Sequence, residues 1–188
     1  AVPVPGAMAR PYPDFWNYTL RDYGNRVGVY RIFKVLDKLG LKSSVAINSA
    51  LAERHPFLIE QVNQRGWEVV ANGLDMGHII HGEMDREEEA AMIKGVLDSL
   101  RKLSGQPVRG WLSPIRSESF NTPDIAAANG IEYLCDWLND DMPYAFETKS
   151  GTIHNLPHTM ELDDQQVLVT LRHTEQEYVD QLKDQFDC

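Results

Sequence analysis

This sequence has little cysteine, little positive charge and no long apolar run. Its two cysteines, Cys135 and Cys188, do not form a disulfide framework, so a reducing, cytoplasmic setting is expected. Lys and Arg number 18 against 28 Asp and Glu, a net charge of −10. Nucleic acid and anionic membrane surfaces both select for clustered cations, so neither is an expected partner. No apolar run reaches the roughly 18 residues of a membrane span, and residues 1–10 lack a signal-peptide core. No G-x-S-x-G surrounds Ser113, which excludes a nucleophile elbow there. Low-complexity tracts and domain linkers are missing too, and the 43% apolar content suits one core.

What is present is a repeated phrase: a glycine that ends a helix, then a short apolar strand. Gly40 precedes a strand at 43–48, Gly66 one at 67–71, Gly105 one at 108–112 and Gly130 one at 131–135. Glycine tolerates the left-handed backbone that closes a helix, so each phrase reads helix, stop, strand. Four in succession predict parallel strands with helical crossovers, and place the chemistry just past the strands' C-terminal ends. The four prolines of residues 1–22 predict an extended N-terminal arm, taken here as 1–23. Apolar spacing predicts a first helix over 25–39, and Pro56 opens a second. Asp85 with Glu88 predicts the cap of a long helix to Leu103, and Thr122-Pro123-Asp124 opens another. Residues 145–147, 153–156 and 167–171 read as strands, and Thr174 with Glu177 caps a last helix.

The densest polar cluster after a strand is 136–144, with Asp136, Trp137, Asp140, Asp141 and Tyr144. Carboxylates, an indole and a phenol on one loop suit proton transfer to a flat substrate; a solvated turn is the plainer reading. Asp75, His78 and His81 are of zinc-ligand type, but Ile79, Ile80 and the nearby glycines do not suit a helix that would gather them. Arg116 and Glu118 follow the third strand, as a simple ion pair or as pocket residues. His154 and His158 read as parts of a polar loop, and Glu87, Glu88 and Glu89 as a solvated face in a helix's first turn.

Several words of this chain resemble the polysaccharide deacetylase (NodB-like) superfamily, within it the branch with a metal-independent allantoinase and cyclic imide hydrolases. They are Trp16-Asn17-Tyr18, residues 21–28, Val45-Ala46-Ile47-Asn48, residues 65–68, residues 109–114, Thr122-Pro123-Asp124 and residues 136–144. The resemblance implies a distorted (β/α) barrel that hydrolyses carbon–nitrogen bonds other than peptide bonds. It also exposes departures. The superfamily's Asp-Asp pair on a first strand has no counterpart before Trp16, and its metal-binding His-x-x-x-His falls on Asn72 and Met76. An arginine of a later motif falls on Leu112.

The expectation is therefore one partial α/β domain over 1–188, a NodB-like barrel without its first and last strands, excerpted from a longer member or naturally truncated. Asp136, Asp140 and Glu118 are the candidate catalytic acids and bases; Trp111, Ser113, Trp137, Asp141 and Tyr144 are the candidate substrate-binding residues. No cofactor is expected, zinc being disfavoured by Asn72 and Met76. The expected partner is a small amide-like substrate, and the arm and open barrel edges point to a homo-oligomer. The alternative is a catalytically silent relative that binds a ligand or serves assembly alone.

Overall fold

The computed structural model describes residues 11–187, and packing divides them into two compact units: residues 43–159, and the segments up to Lys42 and from Met160. The larger unit holds a six-stranded sheet. Strands β1 (Ser44–Ile47), β2 (Glu68–Ala71), β3 (Gly110–Trp111) and β4 (Tyr133–Leu134) are parallel neighbours in that order. The hairpin of β5 (Tyr144–Thr148) and β6 (Gly151–Asn155) completes it, with β6 parallel to β4 and β5 at the edge. The four glycines that end helices or turns before β1 to β4 all have positive φ. The sequence pattern thus locates each strand, though each is shorter than its apolar run.

Register fixes what lies side by side. Ala71 pairs with Trp111, and Trp111 with Leu134, which pairs in turn with Asn155. Asn72, Leu112 and Cys135 therefore leave the sheet together, and the residues after them share one rim.

Helices α3 (Ser49–Arg54), α4 (Pro56–Gln64), α5 (Arg86–Ser104) and α6 (Thr122–Ala128) supply the crossovers. Asp85 caps α5 by accepting the backbone N–H groups of Glu87 and Glu88 at 3.0 and 3.1 Å. Ile93, Val96, Leu97 and Leu100 form its buried stripe. With Val69, Val70, Ala71, Trp111 and Leu134 they make the core of this unit, from which each large side chain gains about 2 kcal/mol or more of burial.

The other unit corrects two expectations. Instead of an extended arm reaching residue 23, Phe15–Tyr23 is a helix (α1), capped by the Asp14 side chain accepting from the Asn17 backbone N–H at 3.0 Å. The prolines stop at Pro13, so nothing past the cap opposes a helix; residues 1–10 of the arm lie outside the described residues. A π-helical turn at Gly24–Gly28 joins α1 to α2 (Val29–Leu39). The strand expected at 167–171 is instead part of a π-helical stretch, Gln165–Thr170. Its β-branched residues favour extension, but Asp163 accepts the Gln166 N–H at 2.9 Å and turns the chain locally. Helix α7 (Glu175–Asp187) follows, with Thr174 and Glu177 bonded reciprocally as the sequence predicts.

Candidate active site

The turn after β3 builds the site. Ile115 and Arg116 both hold left-handed backbone, with φ of 52° and 57°. For a β-branched residue this is an outlier, and such conformations persist only when their surroundings enforce them. Here Arg116 N donates to Ser113 O at 2.8 Å, Ser117 N to Pro114 O at 3.1 Å and the Ser117 hydroxyl to Ile80 O at 2.6 Å. Gly73, on the loop after β2, closes the other side. A Cβ there would lie 2.4 Å from Pro114 Cγ, on a backbone with φ +66°. Gly73→Ala is expected to cost about 2 kcal/mol or more, read as a lowered melting temperature. A variant as stable as the parent would mean that the two loops pack less closely.

Asp136, just beyond β4, is 6% exposed, and each of its oxygens accepts one hydrogen bond. Ser113 donates to it twice, from its backbone N–H at 2.7 Å and from its hydroxyl at 2.8 Å. The Trp111 indole N–H donates to the Ser113 hydroxyl oxygen at 2.8 Å. Burial pushes the Asp136 carboxyl up to about 6, against the opposing Ser113 bonds and the Arg116 guanidinium. Glu118 is the second acid. Burial pushes it up to about 7, opposed by the Trp137 indole N–H it accepts and reinforced by Asp136 and Glu89. Among the described residues its buried Oε2 has no hydrogen-bond partner, and neither has buried Arg116 Nε. Arg116 forms no ion pair with Glu118 among the described residues; its terminal nitrogen meets His158 Nδ1 at 2.5 Å.

The aromatic wall is Trp137, whose ring packs against Phe146 tilted by 40° at 4.5 Å between centroids, with Tyr144 beyond it at 6.4 Å from Phe146. Asn155, fully buried, clamps the Trp137 backbone by accepting its N–H at 3.3 Å and donating to its carbonyl at 2.9 Å.

The structure thus brings Asp136, Glu118, Ser113 and Trp137 together and leaves other candidates apart. Asp140 is exposed and accepts the Met142 N–H at 3.0 Å, a local turn bond. Asp141 is exposed. The Tyr144 hydroxyl donates to Asn139 at 2.7 Å. Trp111 is completely buried, so it orients Ser113 from the core and is no pocket wall. Burial and then the Asp136 charge push the Cys135 thiol up to about 11, which disfavours the thiolate a nucleophile needs.

Glu89 is the largest correction. It is fully buried, with the hydroxyls of Ser119 and Thr122 donating to its two oxygens at 2.6 and 2.5 Å. Its place four residues before Ile93 puts it on the buried stripe of α5, a signal the run of three glutamates hides.

Nor do the residues at the expected metal positions fit a divalent cation. The Asn72 side chain donates to Leu112 O at 2.8 Å and accepts from the Asn48 amide at 3.4 Å, so it ties strand ends together. Met76 is an exposed thioether. Asp75 accepts the His78 ring nitrogen at 2.8 Å and the Gly77 and His78 N–H groups at 2.7 and 3.0 Å. Those bonds outweigh burial and hold its carboxyl below the usual range. Among the described residues no three His, Cys, Asp or Glu gather as a metal-binding group.

Residues 18–134 match the family model for polysaccharide deacetylase. The chain belongs to the polysaccharide deacetylase family. A solved structure called PuuE allantoinase is 27% identical, with a TM-score of 0.77 over 90% of this chain and 56% of its own. A probable polysaccharide deacetylase from Pseudomonas aeruginosa PAO1 is 25% identical, with a TM-score of 0.75 and the same two coverages. One from Mycobacterium smegmatis shares the fold at 24% identity, with a TM-score of 0.74 over 81% of this chain and 52% of that one. This deacetylase-family chain thus spans about half the length of the structures it matches. No curated protein matches it. Its α/β fold with a parallel sheet is of the NodB-like type that these neighbours share. Among the described residues no helix is long and apolar enough to cross a membrane.

Proposed function

We propose that this polysaccharide deacetylase-family protein hydrolyses a carbon–nitrogen bond other than a peptide bond, in a small amide, ureide or cyclic imide. The observation that carries this is a pair of buried, unpartnered atoms on one loop: the acceptor Glu118 Oε2 and the donor Arg116 Nε–H, separated by the extended Ser117. An amide offers the complement, a carbonyl oxygen for the guanidinium and an N–H for the carboxyl. Asp136, ionised near neutrality, takes a proton from the attacking water as the carbon–oxygen bond forms. Glu118, protonated up to about 7, gives its proton to the departing nitrogen. Trp137 provides a flat wall beside Glu118. The name of the allantoinase at 27% identity supports a ureide or amide of this kind.

The test is hydrolysis of a panel holding an acetamido sugar, a ureide and a cyclic imide, with Glu118→Gln as background. Turnover of one class well above that background is expected; none above it for any class overturns the reading. A second reading, a silent relative that binds without turnover, draws support from Asn72, whose amide ties strands where the family places a metal ligand. Binding by calorimetry without product would favour it.

The reaction we propose needs no divalent metal, given the chemistry of Asn72 and Met76. Chelation is expected to leave turnover unchanged. About one zinc per chain, lost on Asn72→Ala or held by Asp75, His78 and His81, would count against it. A homo-oligomer is also proposed, since α1 exposes Phe15, Trp16, Tyr18 and Tyr23. Light scattering at micromolar concentration should give a multiple of the 21.4 kDa chain mass. A monomer mass would refute association.

A further inference from the structure

A cavity of about 820 Å³ lies in the larger unit, lined by none of the residues assigned to the candidate active site. Its floor is one face of α5: Glu88, Ala91, Met92, Gly95, Val96 and Ser99 recur at helical spacing and all line it. The loop between β2 and α5 adds Leu74, Ile79 and Met84, and α3 adds Ser49 and Glu53. The volume is that of a small-molecule site. The hollow has an identifiable cause. Gly95 sits in the middle of α5, where glycine costs about 1 kcal/mol against alanine. A Cβ there would meet no neighbouring atom within 4 Å, so no clash excludes a side chain. What the missing side chain does is deepen the cavity between Ala91 and Ser99. Charge then gives the groove a direction. The Ser99 hydroxyl donates to Glu53 at 2.7 Å, so one carboxylate lies beside Ser99. Glu88 lies roughly three turns earlier on the same helix, about 16 Å along its axis. Among the described residues the Glu88 side chain has no ion-pair or hydrogen-bond partner, and no Lys or Arg lines the cavity. An apolar groove thus carries a carboxylate at each end.

We propose that this cavity binds a linear aliphatic diammonium, the chemistry of a polyamine. One ammonium meets Glu88 and the other meets Glu53 beside Ser99, while the methylene chain runs over Ala91 and Gly95 against Met84, Met92 and Val96. An ammonium only donates and a carboxylate only accepts, so each end is matched. A floor without a side chain at Gly95 admits a thin methylene chain, which gains burial against the thioethers and Val96. His78 and His81 also line the cavity, and the His78 Nδ1 is already committed to Asp75 at 2.8 Å. The assignment is independent of the hydrolase reading, because the two sites share no residue.

The experiment is calorimetry of the full chain with a series of α,ω-diaminoalkanes at low salt. Affinity should peak near about ten methylenes, the helical span of about 16 Å less the reach of the two glutamate side chains. The best diamine should bind about fivefold more tightly than the monoamine of equal length, the upper end for an exposed ion pair. Glu53→Gln and Glu88→Gln keep the shape of the groove, and each should reduce the diamine to the monoamine's affinity. Gly95→Leu fills the floor with a strong helix former, so it should abolish binding without lowering the melting temperature. The net charge of −10 attracts any polyamine loosely, but that attraction has no preferred length and survives Gly95→Leu. Equal affinity for diamine and monoamine, binding unchanged in Gly95→Leu, or no binding of any diamine at millimolar concentration would each overturn the proposal.

Discussion

Glu118→Gln is expected to lower turnover by about 100-fold or more while leaving the fold intact. Gln keeps an oxygen for the Trp137 indole N–H, so the aromatic wall stays in place. What it loses is the transferable proton, and the unpartnered Oε2 position becomes an amide that donates but cannot release a proton at neutral pH. The pH profile sharpens the expectation. Asp136 acts as base only when ionised, above about 6, and Glu118 as acid only when protonated, below about 7. Turnover should trace a narrow bell between those values, reporting the pair as much as either group. The Gln variant's residual rate should keep the acid limb and lose the alkaline one. A variant within threefold of the parent, with both limbs present, would remove Glu118 from the chemistry.

Most of the sheet was legible because glycine does one thing well. Gly40, Gly66, Gly105 and Gly130 all adopt positive φ, and each is followed by the strand its phrase implies. The loops past those strands hold the proposed site, since Asp136 and Glu118 both lie there. What the pattern hides is long-range. Glu89 reads as one of three first-turn acids until helix phase is followed back from Ile93. Asn155 and Phe146 come from the β5–β6 hairpin, whose pairing beside β4 no local spacing reveals. For Arg116 the sequence leaves an ion pair with Glu118 and a place in the pocket both open, whereas in the structure, past the left-handed turn at Ile115, it meets His158. Asp140 and Asp141 have the right composition for a site, but a two-residue turn bond satisfies Asp140 locally. Composition names the chemistry; only register and backbone handedness say which carboxylate is buried.

The same two raised carboxyls should cost the fold stability at neutral pH. Asp136 is raised from 3.8 to about 6 and Glu118 from 4.5 to about 7. A group whose folded value is raised stabilises fully below its unfolded value, and that contribution is lost as pH rises through the folded value. Stability should therefore fall between about pH 4 and pH 8. For Asp136 the loss is about 3 kcal/mol; for the more solvent-screened Glu118 it is about 1–2 kcal/mol. Below pH 4 the trend reverses. Asp85, held down by the Glu88 N–H, and Asp124, held down by the Lys149 N–H, then take up protons and lose their bonds. Glu118→Gln separates function from stability. Near pH 4 both side chains are neutral, and parent and variant should unfold at the same urea concentration. At pH 8 the parent must hold a charge on a carboxyl with one donor and one bare oxygen, and the variant need not. The variant should then be the more stable protein by about 1–2 kcal/mol, although it is the less active one. Parallel stability curves for the two proteins from pH 4 to pH 8 would show that Glu118 is hydrated in the folded state, and would leave it without the proton that the proposed reaction requires.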